Sequence, residues 1–346
     1  MPNIVTLPGD GIGPEVTAAA VDVLNALRDD LTFEEHLIGG ASIDAHGTAL
    51  TDDVLAACRA SDAIFLGAVG GPKWDTTDPD KPRPEQGLLN LRRELDLYAN
   101  LRPVRPSSAL LDASPLRREV IEGTDLVVVR ELTGGIYFGE KRRTEDFASD
   151  LCTYSVEEIQ RVTRVAGRLA QGRRKRIVSV DKANVLETSR LWRVTVESVL
   201  RAEFPDVELE HMLVDAAAMH LIRQPSSFDV ILTENMFGDI LSDEAGAIVG
   251  SLGLLPSASL GDGAGLYEPV HGSAPDIAGK GIANPIGTVA SVAMLLRYSL
   301  KLEEEAATVE RAIERVLASG ARTADLTAGA ASLSTTQMAD RIVAAL

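Results

Sequence analysis

Short, largely apolar runs recur along this chain, most of them followed by a stretch whose apolar residues return every three or four positions. Asn3–Leu7, Ala63–Leu66, Asp125–Val129, Ile177–Val180, Glu208–Val214 and Phe228–Thr233 read as strands. Continuous runs of this kind, rich in β-branched residues, suit strands buried on both faces. The helical rhythm predicts helices over Pro14–Arg28, Glu85–Leu95, Val156–Arg173 and residues 181–200, with two amphipathic helices near 286–301 and 303–318. Tyr98–Pro103 reads as extended chain. Strand followed by helix, repeated, predicts an α/β fold with a parallel sheet.

Four breaks in the rhythm matter. The turn "PGDGIG" after the first strand invites a dinucleotide-binding reading through Gly9, Gly11 and Gly13. The spacing is wrong for that motif, Pro14 follows at once, and a tight turn feeding a helix explains the glycines without a ligand. A long proline-rich loop begins at Gly70 and Gly71, and loops of such length inside compact domains tend to carry function. "TGGIYFG" surrounds Tyr137 with glycines and leads into a segment that reads as a protruding arm. Residues 253–285, rich in Gly, Pro, Ser and Ala, read as irregular backbone able to approach a ligand closely.

At 346 residues, two domains are the default. A formal charge of −17 argues against non-specific binding to nucleic acid or to an anionic membrane. Cys58 and Cys152 stand far apart with no metal-ligand spacing, which fits a reducing compartment. With no signal-like N-terminus and no apolar run long enough to span a bilayer, a cytoplasmic protein is expected.

Against that acidic background the basic residues become informative. Arg92, Arg93, Arg102 and Arg105 fall within fourteen residues, and Arg130 sits at a strand's C-terminal end, where open α/β sheets place ligands. Lys182 lies at a strand-to-helix junction. Asp239 and Asp243 are four apart among Ile240, Leu241, Ala245, Ile248 and Val249, so both carboxylates share one helix face. Such a pair is at home on a solvated acidic face, but it also suits a hard divalent cation. Arginines bind carboxylates in bidentate fashion, a cation polarises a hydroxyl, and a lysine and a tyrosine can move protons. Together the set suits a hydroxy di-acid that is oxidised and then loses CO2.

The stretches "LPGDGIGPEV", "GLLNLRRELDLYANLRPVRP", "RELTGGIYFG", "SVDKANVLE", "DAAAMHL", "NMFGDILSDEAG" and "EPVHGSAPDIAGKGIANP" resemble, in order, the β-decarboxylating isocitrate/isopropylmalate dehydrogenases. The resemblance runs over nearly the whole chain and is closest to the isopropylmalate branch. It implies a two-domain, non-Rossmann fold with a β-arm for dimerisation. Residues 1–97 with 250–346 would form a cofactor-binding domain, and 98–249 an inserted domain for dimerisation, metal and substrate. It implies that Arg92, Arg102 and Arg130 clamp substrate carboxylates and that Asp215, Asp239 and Asp243 hold Mg2+ or Mn2+, with Asp215 also touching substrate. Lys182 would take the hydroxyl proton and Tyr137 would return one after decarboxylation. Lys182 and Asp215 would reach across from a second subunit of a homodimer, with residues 138–153 forming the intersubunit arm.

The same resemblance puts substrate choice on Glu85, Leu88 and Leu89, where adjacent leucines suit an isopropyl group and offer nothing to a third carboxylate. It puts NAD against Gly70, Gly71, Glu268, His271, Gly272, Ser273, Ala274, Pro275, Asp276, Ile277 and Asn284. A carboxylate at Asp276 would accept both ribose hydroxyls and repel a 2′-phosphate, favouring NAD over NADP. A sibling activity on D-malate or tartrate, or a non-catalytic binding module, would leave the same scaffold.

Overall fold

In a computed structural model the described residues are 1–78, 80–327 and 331–346; Pro79 of the proline-rich loop lies outside them. The chain divides into two compact units, Met1–Leu97 with Ser107–Ala113 and Ser251–Leu346, and Tyr98–Pro106 with Ser114–Gly250. The short Ser107–Ala113 segment thus belongs with the first unit, although it lies within the span 98–249.

In the first unit the strands run in the order Thr32–Glu35, Asn3–Gly9, Ala63–Ala68, Gly265–Pro269, Pro256–Leu260. All neighbours are parallel except the last pair, which is an antiparallel hairpin. Gly9 pairs with Ala68, so the glycine turn and the Gly70–Gly71 loop leave the sheet at one edge. One core cluster packs Val5, Leu7, Ile64, Leu66 and Leu266 against Val54, Cys58, Leu91 and Leu97.

Three expectations change here. The glycine-rich 253–285 stretch contains the two strands of that hairpin, in which Ala258 and Tyr267 are fully buried and pair with one another. Its small residues masked the strand pattern because they pack against a helix that needs room. That helix, Ile286–Tyr298, is not amphipathic: ten of its thirteen residues are buried, as expected for a helix enclosed on all sides. The remaining elements, helices Gly39–His46, Asp52–Ala60 and Thr335–Val343 and the edge strand Thr32–Glu35, were too short or too polar to read.

The second unit orders its strands Ala99–Val104, Leu126–Glu131, Val230–Thr233, Arg176–Asp181, Glu208–Leu213. The first is antiparallel to its neighbour and the others are parallel. Arg130 pairs with Thr233, Thr233 with Val180, and Asp181 with Leu213. Four adjacent strands therefore end level, and the residues that follow them, Glu234 to Asp239, Lys182 and Asp215, issue from one edge. Ligands gather at such carboxyl edges in open α/β sheets.

The helix expected from residue 181 starts at Glu187 instead. Asp181 accepts the Ala183 amide, Ser189 Oγ accepts the Lys182 amide, and Leu186 N–H returns to the Lys182 carbonyl. Such local bonds compete with helix propagation and leave Lys182 on a turn. "DAAAMHL" lies in the helix Val214–Arg223. Between Phe138 and Thr153, Lys141–Arg143 and Ala148–Asp150 form a two-stranded antiparallel hairpin with both strands exposed.

Candidate active site

The helix Asn235–Ile248 carries the paired aspartates, and it begins where it does because Glu234 caps it. The Glu234 carboxylate accepts the Phe237 amide at 2.8 Å and the Met236 amide at 3.3 Å. Free helical amides favour an anion there. Burial nonetheless pushes Glu234 above the usual carboxylate range. Glu234 is the cap that fixes the register of Asp239 and Asp243.

From that register a cluster forms around Asp239. Arg130, almost wholly buried, gives Nη1–H to Asp239 Oδ1, and Tyr137 Oη donates to Asp239 Oδ2 at 2.9 Å. Arg102 lies 3.6 Å from Asp239 and donates to Asp243 Oδ1 at 3.0 Å and to Ser242 Oγ at 2.7 Å. Gly238 makes this possible, since a Cβ there would stand 2.6 Å from the Arg130 Cγ. The Arg130 guanidinium also lies 5.7 Å from the Tyr137 ring centroid. Burial, and then Asp239, push the Tyr137 phenol up to about 12, so it carries its proton at neutral pH.

Lys182 and Asp215 form a second cluster, an ion pair between the turn after one strand and the helix after the next. The hydrogen bond from Lys182 holds the exposed Asp215 carboxyl below the usual carboxylate range. Among the described residues no three His, Cys, Asp or Glu side chains gather as a metal cage, so one chain does not bring Asp215 together with Asp239 and Asp243. The donors that do share a helix face, Asp239 and Asp243, are carboxylate oxygens, a donor set that fits a hard divalent cation.

In the first unit Arg92 donates to Glu268 Oε1 at 2.7 Å, both side chains being about 10% exposed. Arg92 Nε is buried without a partner, a donor left over for an acidic ligand. On the same helix, Leu88 packs against the core cluster, while Leu89 is half-buried and Glu85 exposed. Glu85 lies beside the loop, since a Cβ on Gly70 would stand 2.9 Å from its Oε1. Gly70 and Gly71 have positive φ, of 109° and 158°. The Trp74 ring that follows fills the space above Gly40 and Gly71.

A residue that sequence reasoning passed over organises this loop. Asp10, buried in "PGDG", accepts amides from Gly40, Ala41 and Gly70, each at 2.8 Å. The glycine turn is thus a backbone tie that shapes the loop, with Gly11 packed on the Ser273 carbonyl and Ile12 N–H bonded to it at 2.8 Å.

Beyond that contact, Ser273 is buried, Ala274 has φ of 38°, and Gly272, Pro275 and Asp276 are exposed. Ile277 packs with Ile12, Val16 and Ala283. His271 Nε2 is buried without a partner, and burial lowers the imidazole pKa, so the ring is neutral. An orphaned ring nitrogen beside open glycine backbone fits a heteroaromatic cofactor. Asn284 is otherwise engaged: its Oδ1 accepts the Ile286 amide and its Nδ2 donates to Asp325, each at 3.0 Å.

The isocitrate/isopropylmalate dehydrogenase family model matches residues 3–342. The 3-isopropylmalate dehydrogenase of Anaeromyxobacter dehalogenans is 60% identical over 352 residues, covering 99% of this chain and 98% of that protein. That of Bacillus subtilis is 56% identical over 355 residues, covering 99% and 97%. Among solved structures, isocitrate dehydrogenase from Methylococcus capsulatus superposes with a TM-score of 0.89 at 35% identity, covering 100% of this chain and 99% of that one. A β-decarboxylating dehydrogenase from Thermococcus kodakarensis in its apo form gives 0.83 at 38% identity, covering 100% and 96%.

Proposed function

The chain belongs to the isocitrate/isopropylmalate dehydrogenase family, and from that we propose that it oxidises and decarboxylates (2R,3S)-3-isopropylmalate to 4-methyl-2-oxopentanoate and CO2, a step of leucine biosynthesis. The observation that carries the reading is the convergence of Arg102, Arg130 and the protonated Tyr137 on Asp239. Cationic donors and a proton donor around paired carboxylates are the parts such a reaction needs.

Arg92, Arg102 and Arg130 take the two substrate carboxylates by charge-assisted hydrogen bonds. Asp239 and Asp243 hold Mg2+ or Mn2+, with Asp215 supplied by a second copy. When bound, that cation supplies Lewis-acid stabilisation of negative charge on the C2 oxygen. Lys182 takes the C2 hydroxyl proton; NAD, when bound along the 268–284 stretch, would supply the two-electron oxidation of C2 as its hydride acceptor. The bond from C3 to its carboxylate then breaks, CO2 leaves, and the Tyr137 O–H protonates C3. Leu88 and Leu89 receive the isopropyl group, and the exposed Asp276 carboxylate selects NAD over NADP by repelling a 2′-phosphate.

Two features support a homodimer with shared sites. Val185, Met219 and Ile240, on or beside the elements that carry Lys182, Asp215 and Asp239, are each more than half exposed. Phe147 and Leu151 are likewise exposed on the hairpin segment. A second copy of the chain would cover these exposed apolar side chains. Among the described residues no helix is long and apolar enough to cross a membrane, and both cysteines are free; we place the enzyme in the cytoplasm.

The test is cofactor reduction followed by absorbance with Mn2+, comparing 3-isopropylmalate, D-malate and isocitrate, each with NAD and with NADP. Turnover confined to 3-isopropylmalate with NAD is the expected result. A preference for D-malate would keep the chemistry and overturn the leucine pocket. Silence on all three would overturn the reading.

A further inference from the structure

The cluster at Asp239 closes into a ring through a residue that touches neither substrate carboxylates nor cation in the scheme above. Asn235 is 1% exposed. Its Oδ1 accepts from Arg130 Nε at 3.1 Å and from Arg130 Nη2 at 2.8 Å. Its Nδ2 donates to the Gly134 carbonyl at 3.0 Å, in the turn that precedes Tyr137. Its backbone amide donates to the Tyr154 hydroxyl at 2.9 Å. Tyr154 in turn packs on the same turn, since a Cβ on Gly135 would stand 2.4 Å from its hydroxyl.

We infer that Asn235 is the positioning residue that holds the Arg130 guanidinium and the Tyr137 turn in one register over Asp239. The inference rests on the roles given above to Arg130 and Tyr137. Arg130 presents only donors on that edge and Gly134 presents only an acceptor. A primary amide satisfies both at once; a carboxylate or an aliphatic side chain of the same size satisfies one or neither. With one edge of the planar guanidinium fixed by Asn235 and Nη1 fixed by Asp239, Arg130 cannot rotate in its own plane. The phenol is held in the same way, by Asp239 at its tip and by the Asn235-to-Gly134 bond at the base of its turn. Both groups therefore face the substrate from positions set before it arrives.

The two halves of the amide can be separated. Asn235→Asp keeps the acceptor toward Arg130 and removes the donor to Gly134, whereas Asn235→Ala removes both. The full-length protein loaded with Mn2+ would be titrated with 3-isopropylmalate by calorimetry in the absence of NAD, and kcat and KM measured with NAD. Asn235→Ala should weaken binding about 10-fold and lower kcat about 100-fold, the scale of a lost hydrogen bond to a charge and of a displaced reacting group. Asn235→Asp should hold binding within about 3-fold while kcat still falls about 100-fold, because the arginine half is kept and the tyrosine half is lost. A purely structural residue would lower both variants through their folded fraction, with unchanged KM and unchanged kcat per folded molecule; that result overturns the inference, as does an equal split in the two variants. If Asn235→Ala does not fold, the Asn235→Asp pattern alone decides in the same terms. Arg130→Ala and Tyr137→Phe serve as controls. Losses in both controls with neither Asn235 variant affected would sink this inference alone, whereas unaffected controls would sink the functional reading and this inference with it.

Discussion

Arg92 and Glu268 face each other at 2.7 Å, nearly buried, and so tie a residue assigned to the substrate to one assigned to the cofactor. The pair leaves Arg92 Nε–H unpartnered. The guanidinium is thereby pre-oriented by its neighbour and retains a free donor for a carboxylate ligand.

Breaking one side of such a pair strands the other charge in a poorly solvated place. Glu268→Ala should lower the unfolding free energy by about 3 kcal/mol, and the double variant with Arg92→Ala should recover part of that loss. Urea unfolding of the two single variants and the double variant measures the coupling. Strict additivity would show that the pair is not an energetic unit.

Lys182 pairs with Asp215 at the carboxyl edge of the second unit's sheet. Lys182→Ala should lower kcat about 1,000-fold, within the range for loss of a general base, while calorimetric binding of 3-isopropylmalate stays near the wild-type value. A normal rate would remove Lys182 from the proton-transfer step.

Asp276 is exposed, two residues after Ala274 with its φ of 38°. Asp276→Ala should weaken NAD about 10-fold through loss of hydrogen bonds to a charged acceptor, while NADP gains relative to NAD because the repulsion is gone. The ratio of kcat/KM for the two cofactors reads this directly. An unchanged ratio would place the discrimination elsewhere.

Glu131 is fully buried, accepts three hydrogen bonds from Thr133 and Gly134, and burial still raises its pKa above the ordinary carboxylate range. Below that range both folded and unfolded chains hold the proton, and the group contributes nothing to pH dependence. Between the ordinary value and the raised one the unfolded chain ionises first, so stability falls as pH rises, by at most about 1.4 kcal/mol per pH unit. Above the raised value the loss is complete and constant. Glu131→Gln removes this slope, so the stability of wild type relative to the variant should decline as pH rises from about 4 toward neutrality. Denaturant midpoints at several pH values test it, and a wild type that gains stability relative to the variant as pH rises would contradict the sign.

Several site residues could be read because their chemistry is local. Asp239 and Asp243 share a face through helical spacing alone, and the structure keeps them on one helix. Arg130 could be placed at a strand end because a β-branched run precedes it, and it lies in the last residues of that strand. Glu234 caps its helix through amides two and three residues on, whereas Asn235 finds Arg130 and Gly134 105 and 101 residues away, which no local pattern contains. Asp10 and Tyr154 had no local signal. Their partners lie 30 to 60 and about 80 residues away in the sequence, and only folding brings those amides to them.

The alternation of apolar runs and helical periodicity, with resemblance along nearly the whole length, was enough for the α/β class and the family, and it named the residues that the proposed reaction uses. Such features are written in residue type and short-range spacing. The tertiary structure decided which carboxylate meets which arginine, that Asn284 is engaged by the Ile286 amide and Asp325, and that the glycine-rich stretch hides a hairpin. It also showed that Lys182 sits on a turn before its helix. Those outcomes depend on strands from distant parts of the chain ending level at one edge, a long-range packing result that no window of sequence contains.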